Sequence, residues 1–339
     1  MEFAGTDIHH ALPLAADWNA LGTSLFWLNV GVTAGIYAIL ALGLQLNVGF
    51  TGITNFGQAG FMAIGAYAMA ILTVSVGVSF WLALPLSMLI AMGFGVLIGL
   101  PSLRLRQDYF AIATIASAEL IRIVAQNAQS LTHGNQGFFC NDDQTKCYDD
   151  IWALHTSKTI EGWLQDLGWN DPGSLAPLLL VTLVCVLIIT VALRVTQGTP
   201  WGRVLRAIRE DEDAARALGK NAFAYKLQSL AISAGIAAVA GWLLALDLAT
   251  IHPTDFEPLT TFFAYSVLIL GGLANYWGVI VGSVILWTVL EGTRFVEIFQ
   301  DDNQTAALRF AIVGLVLILL MAFRPQGMFG KKEEMVLGE

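Results

Sequence analysis

Apolar runs of about 20 residues recur along the chain, each long enough to cross roughly 30 Å of hydrocarbon as a helix. They fall at 25–46, 53–74, 80–100, 108–127, 175–195, 226–249, 259–274, 278–298 and 306–323. The pattern predicts an all-α polytopic membrane protein of about nine transmembrane helices, with eight or ten also compatible. Two runs depart from a plain span. The second opens with Thr54-Asn-Phe-Gly-Gln58, which predicts a broken or re-entrant segment, and 259–274 is short for a full crossing. Residues 25–330 read as one transmembrane domain, preceded by segment 1–24 and followed by the tail 331–339.

The densest charge lies between the fifth and sixth runs, from Gly198 to Asn221. Thr199 suits a helix N-cap, Pro200 the first helical position and Gly219 the C-terminal cap. Trp201, Val204, Leu205, Ile208, Ala215 and Leu218 recur every three to four residues, which predicts one short amphipathic helix inside the loop 196–225.

Composition agrees with a bilayer as solvent. Hydrophobic residues make up 56% of the 339 positions and charged residues 13%, and the mean hydropathy is +0.67; soluble domains carry about 25% charged residues. The net charge of −9 excludes nucleic acid as a partner, since that needs a basic footprint.

Charge also sets the expected orientation. No Lys or Arg precedes Arg104, and the first 24 residues carry Glu2, Asp7 and Asp17. They lack the basic start of a signal peptide, so the N-terminus is expected outside and the first span is expected to stay as an anchor. Arg104 and Arg106 then fall inside. Loop 128–174, with seven acidic residues against Lys146 and Lys158, falls outside. The stretch Arg194–Lys226 has seven basic residues and falls inside, 250–258 has none and falls outside, and Arg324, Lys331 and Lys332 put the C-terminus in the cytoplasm. Only Arg309 runs against the alternation.

In the outer loop, Trp152, Trp163 and Trp169 suggest packing onto the membrane face, as a landing surface for a partner or as a lid over helix ends. A disulfide between Cys140 and Cys147 is one reading if that loop meets an oxidising space. Cys185 reads as apolar filler, and no metal site is expected.

Glycines cluster at 49, 52, 57, 60 and 65 and again at 271, 272, 278 and 282, within loosely similar strings that each hold an asparagine. Internal repeats with Gly-interrupted helices line many transport paths, while close helix packing alone also favours glycine. The path reading selects Asn47, Asn55, Gln58, Tyr67, Glu119 and Asn275. Glu119/Arg122 and Glu291/Arg294 are three apart, so local pairing competes with any substrate role; Asp247 lies near the outer surface. No phosphate loop, His-Glu-x-x-His motif or nucleophile elbow occurs, so the chain is not expected to be an enzyme. Uphill transport would draw on an ion gradient or on another subunit.

Four separated motifs carry a family resemblance. Arg206-Ala-Ile-Arg-Glu-Asp-Glu-Asp-Ala-Ala-Arg-Ala-Leu-Gly219, followed by Tyr225-Lys-Leu, resembles the coupling segment of branched-chain amino acid ABC transporter permeases of the LivM type. Leu46–Tyr67 resembles the N-terminal signature of that family, and Leu270–Gly282 and Arg324-Pro-Gln-Gly327 resemble its C-terminal ones. The match runs in order over residues 28–330. The departures are the long outer loop with its cysteine pair, Asn135-Gln136 and Asn275-Tyr276. The resemblance implies half of an importer in a bacterial inner membrane. A LivH-type permease, two cytoplasmic ATPase subunits and an external binding protein would complete it, with ATP and Mg on the ATPases and no cofactor on this chain. Arg206, Arg209, Glu210, Glu212, Ala214, Ala215, Leu218 and Gly219 would then engage the ATPase. A permease for urea or short amides is the nearest alternative, and a stand-alone secondary transporter or channel is the alternative of another class.

Overall fold

The computed structural model describes residues 23–139, 152–166, 175–273 and 275–293, together with isolated positions near the C-terminus that include 327–329. Helix α1 (Ser24–Leu44) loosens into wider turns over Gln45–Thr51, and after a non-helical break α2 runs over Gln58–Ala70. Helices α3 (Phe80–Ser102) and α4 (Gln107–Asn127) follow, then the short α5 (Lys158–Asp166) and α6 (Leu175–Gly198). The charged stretch forms α7 (Pro200–Glu210) and α8 (Glu212–Ala217). Helices α9 (Ala222–Leu248), α10 (Pro258–Gly271) and α11 (Tyr276–Gly292) complete the described helices.

Helix α9 is the axis of the core, packed against α3, α2 and α1. Its apolar residues lie all round the helix, as expected of a helix with protein on every side. The α2–α9 approach is so close that a Cβ on Gly65 or Gly241 would run into the other helix's backbone. Helices α3 and α6 keep exposed leucines instead, such as Leu89, Leu97, Leu183 and Leu187, and present them to lipid or to another subunit.

Five helices among the described residues are long and apolar enough to span a bilayer, and the α10–α11 pair brings the number to six. The expected nine is therefore not reached there. Helix α4 occupies the predicted position but carries Asp108, Glu119 and Arg122. The expected spans 259–274 and 278–298 form one pair bent by 118°. Helix α10 covers only about 21 Å at 1.5 Å per residue, and the chain turns through Gly272 at φ +99°. Run 306–323 falls mostly outside the described residues.

The amphipathic helix expected between the fifth and sixth runs is also corrected, because it is two helices. Asp211 is extended at φ −153°, and its carboxylate accepts the N–H of Ala214 at 2.9 Å, so it ends α7 by capping α8. The cap signals themselves are as read: Thr199 accepts from Gly202 N at 3.4 Å, Pro200 opens α7, and Gly219 stands at φ +76° just past α8.

In the outer loop, Trp152 is buried at 6.1 Å from the Phe80 ring, whereas Trp163 is exposed. Phe138–Phe139 (β1) pairs antiparallel with Thr250–Ile251 (β2), which ties the end of α4 to the end of α9. Cys140, Cys147, Trp169 and Arg294 lie outside the described residues.

Candidate functional site

The N-terminal glycine-rich signature becomes a break in the membrane body. Thr51 turns its hydroxyl back to Leu46 O at 2.9 Å, and Gly52 reverses the chain at φ +75°. Breaking a helix among apolar neighbours frees backbone groups, which then need partners. Ile53 N finds Asn47 O at 3.0 Å and Gly57 N finds the Asn55 side chain at 2.9 Å. Phe56 N reaches Thr114 Oγ1 at 3.1 Å and Ala59 N reaches Thr261 Oγ1 at 2.9 Å. The hydroxyl of Tyr265 donates to Asn55 O at 2.9 Å. Two other helices, α4 and α10, thus hold the broken segment in shape.

Beneath it lies a buried network of neutral polar groups. Asn47, Asn55 and Gln58 are each 0% exposed. Asn55 Nδ2 donates to Gln58 Oε1 at 2.9 Å, and Gln58 Nε2 donates to the carbonyl of Ser233 at 3.2 Å. The Ser233 hydroxyl donates to Gly43 O at 2.8 Å. One turn earlier on α9, Ser229 donates to Asn47 Oδ1 at 3.1 Å and lies 2.7 Å from Thr51 Oγ1. Asn47 Nδ2 is buried without a hydrogen-bond partner among the described residues. The network has amides and hydroxyls but no carboxylate or cation among its members. It offers nothing for covalent chemistry, and the described residues hold no cluster of three or more metal-ligating side chains.

Of the six path residues read from sequence, the fold brings Asn47, Asn55 and Gln58 together. Tyr67 packs against Phe256 at 6.1 Å, further along α2. Glu119 accepts from Arg122 Nε at 2.9 Å on a partly exposed face of α4. Asn275 caps α11 by accepting from Gly278 N at 3.4 Å and donates to Phe329 O at 3.0 Å. Ser229, Ser233, Thr51, Thr114 and Thr261 escaped the sequence reading. The only signal for the two serines is their four-residue spacing on one face of an apolar helix.

The charged stretch grips this site. Gly202, Leu205 and Ile208 are buried, and Ile208 joins Ala215 and Ala222 in a small apolar cluster with Val204 and Tyr225. Trp201 Nε1 donates to Gln228 Oε1 at 2.8 Å. Arg209 donates to Gly49 O, and its side chain lies over Gly52. Arg206 stands 5.8 Å from the centre of the Phe50 ring, which stacks on Tyr276 at 5.6 Å. Glu212 pairs with Arg216 at 2.6 Å and with Lys226. Arg206, Glu210, Ala214, Leu218 and Gly219 face outward, Leu218 at 81% exposure.

These contacts gather the break, the α3–α4 turn, the α10–α11 bend and the 327–329 segment at the same end as α7 and α8. Residues 26–321 match the family described as "Branched-chain amino acid transport system / permease component". The chain is 33% identical to the high-affinity branched-chain amino acid transport system permease protein LivM of Escherichia coli K12, over 94% of this chain and 73% of that protein. It is 24% identical to the probable LivM permease of Methanocaldococcus jannaschii, over 88% and 91%. Its identity to the LivH permease of Salmonella typhimurium is 26%, over 89% and 94%. No solved structure matches the chain. A helical, multi-pass body with these four motifs, matched over most of its length, belongs to the branched-chain amino acid transport permease family.

Proposed function

We propose that the chain is the permease subunit of an ATP-driven importer of branched-chain or other neutral, hydrophobic amino acids. It forms half of the translocation path beside a LivH-type permease. An external binding protein delivers the solute, and two ATPase subunits hold the nucleotide and Mg. Similarity to both LivM and LivH proteins supports the permease pair.

The observation that carries the coupling role is the two-faced lever α7–α8. One face is packed on the membrane body, while Glu210, Ala214, Leu218 and Gly219 stand clear of it. A subunit that seats on the clear face can pull Arg209 against the break, and so tilt α1, α2 and α9. The solute groups would meet Asn47, Asn55 and Gln58 when that packing parts.

The positive-inside bias supports a cytoplasmic lever. Arg104, Arg106, Arg203, Arg206, Arg209 and Lys226 gather at its end, whereas Asp247, Asp255 and Glu257 lie at the other. The N-terminus is then external and the C-terminus cytoplasmic.

The test is uptake by the reconstituted complex. Leucine uptake should require ATP and be competed by isoleucine and valine. Competition by urea instead would change the cargo, and active uptake by this chain without ATPase subunits would overturn the reading.

A further inference from the structure

A second site lies beside the lever. A cavity of about 400 Å³ opens between the break (Gly52, Ile53), the α3–α4 turn (Leu103–Arg106), α8 and the start of α9. Its walls carry Arg104, Arg106, Arg216 and Lys226 against a single carboxylate, Glu212. Glu212 is already engaged by Arg216 and Lys226. Arg104 and Arg106 are exposed and pair with no carboxylate among the described residues. The same walls include Ile53, Leu103, Phe110 and Phe223, so the lining combines cations with apolar side chains.

The setting names the occupant. Arg104 and Arg106 follow directly on the apolar helix α3, and Lys226 stands in the first turns of α9, so the cavity sits at the membrane–water boundary. Leu89, Phe94, Leu97 and Leu100 on α3 are exposed and lead up to it. An acyl chain lying along these residues delivers its phosphate to the cavity mouth, where basic pockets between helices hold anionic headgroups. We propose that the cavity seats the phosphate headgroup of an anionic phospholipid, which links the α3–α4 turn to the lever. The proposal rests on the membrane placement of the chain and not on the coupling role.

The complete permease–ATPase complex, exposed to phosphatidylglycerol or phosphatidylcholine vesicles and analysed by native mass spectrometry, tests it. Phosphatidylglycerol should be retained selectively. R104Q/R106Q should weaken that retention about 30-fold, from about 1 kcal/mol per basic residue near an anionic surface, and R104K/R106K should restore most of it. Equal retention of both lipids, or unchanged retention in R104Q/R106Q, overturns the proposal. So does inorganic phosphate that shields Arg104 from arginine-directed modification as well as phosphatidylglycerol does, because the occupant is then a soluble anion. Loss of the ATPase subunits from R104Q/R106Q with lipid retention intact would assign the cations to a protein partner instead. Lipid retention is read without transport, so its failure leaves the coupling reading standing.

Discussion

Arg209 in the lever donates from Nη1 to the carbonyl of Gly49, 160 residues earlier, where the first span loses regular helical geometry. Its Cγ also lies 3.2 Å from where a Cβ on Gly52 would stand. The lever is therefore fastened to the break itself. Any force on α7 reaches the segment that carries Asn47 and Asn55.

Arg209→Met should free the Gly49 carbonyl and cost about 1.5–3 kcal/mol, the range for a bond to a charged donor. Gly52→Ala should cost a similar amount, because alanine at φ +75° is strained by about 1–2 kcal/mol. Both variants should lower uptake per ATP hydrolysed and speed hydrogen exchange over residues 45–57. Unchanged exchange there would mean that the fastening is not needed.

Leu218→Arg separates docking from folding. Leu218 is 81% exposed, so thermal stability should stay within about 0.5 kcal/mol while ATPase subunits co-purify poorly. Glu210→Lys, on the same exposed side, should act likewise. Glu212→Lys should differ and lower stability, since it replaces the partner of both Arg216 and Lys226 with a third cation. Equal thermal shifts for Leu218→Arg and Glu212→Lys would sink this distinction.

In the polar network, Gln58→Leu takes the acceptor from Asn55 Nδ2 and the donor from the Ser233 carbonyl, while the Ser233 hydroxyl keeps Gly43 O. Each buried polar group left unpaired costs about 1–3 kcal/mol. Ser233→Ala removes the one hydroxyl proton that Gly43 O and Gln58 Oε1 share, so it should fall in the same range. Because Gln58 and Ser233 share a bond, the double variant should be less destabilised than the sum of the two. Unfolding of the purified protein in mild detergent reads this directly, and strict additivity would show that the network does not act as a unit.

The sequence reveals the ends of these elements more readily than their interruptions. Thr199, Pro200 and Gly219 mark helix ends by local chemistry, and they do so in the fold. The break at 52–57 is legible for the same reason, since glycine and asparagine are costly inside an apolar helix unless something repairs the backbone. Asp211 is not legible, because Glu-Asp-Glu-Asp reads as one polar helical turn until one carboxylate turns to cap the next helix. Ser229 and Ser233 look like tolerated small residues, and only the packing of α1 and α2 on α9 gives them partners. The α10–α11 bend is half legible, since run 259–274 is short for a crossing, but nothing in the composition reports that the chain turns back after it.

Glu119 and Arg122 test whether an intramembrane charge must serve the solute. The pair is three residues apart on one partly exposed helix face. A double-mutant cycle with alanine should give a coupling above the roughly 0.2–1 kcal/mol of a water-exposed pair, because hydrocarbon screens the charges less. Uptake KM should be unchanged in Glu119→Gln. A large rise in KM with little loss of stability would return Glu119 to the solute path.

The α10–α11 bend should also be sensitive to single substitutions. Gly271 and Gly278 pack backbone to backbone, so that a Cβ on either would run into the other's carbonyl oxygen. Gly282 closes on the backbone of Val267 and Gly271 one turn further on. Residues 327–329, which start at the last residue of the C-terminal signature, dock here too. Met328 N donates to Leu270 O at 2.9 Å, and Gly327 at φ +75° leaves 2.5 Å between a built Cβ and Gly272 Cα. Asn275 ties the two motifs by capping α11 and bonding Phe329 O. Gly271→Ala and Gly278→Ala have no flexible side chain to push aside and should each destabilise by about 1–3 kcal/mol, the cost of overpacking a well-filled site. Asn275→Ala should lose about 1 kcal/mol as a missing cap. Asn275→Asp should keep the cap but lose the donor to Phe329. Proteolysis near residue 327 separates the two roles: it should rise in both Asn275 variants, whereas a rise only in Asn275→Ala would show that the bond to Phe329 does not hold the C-terminal motif in place.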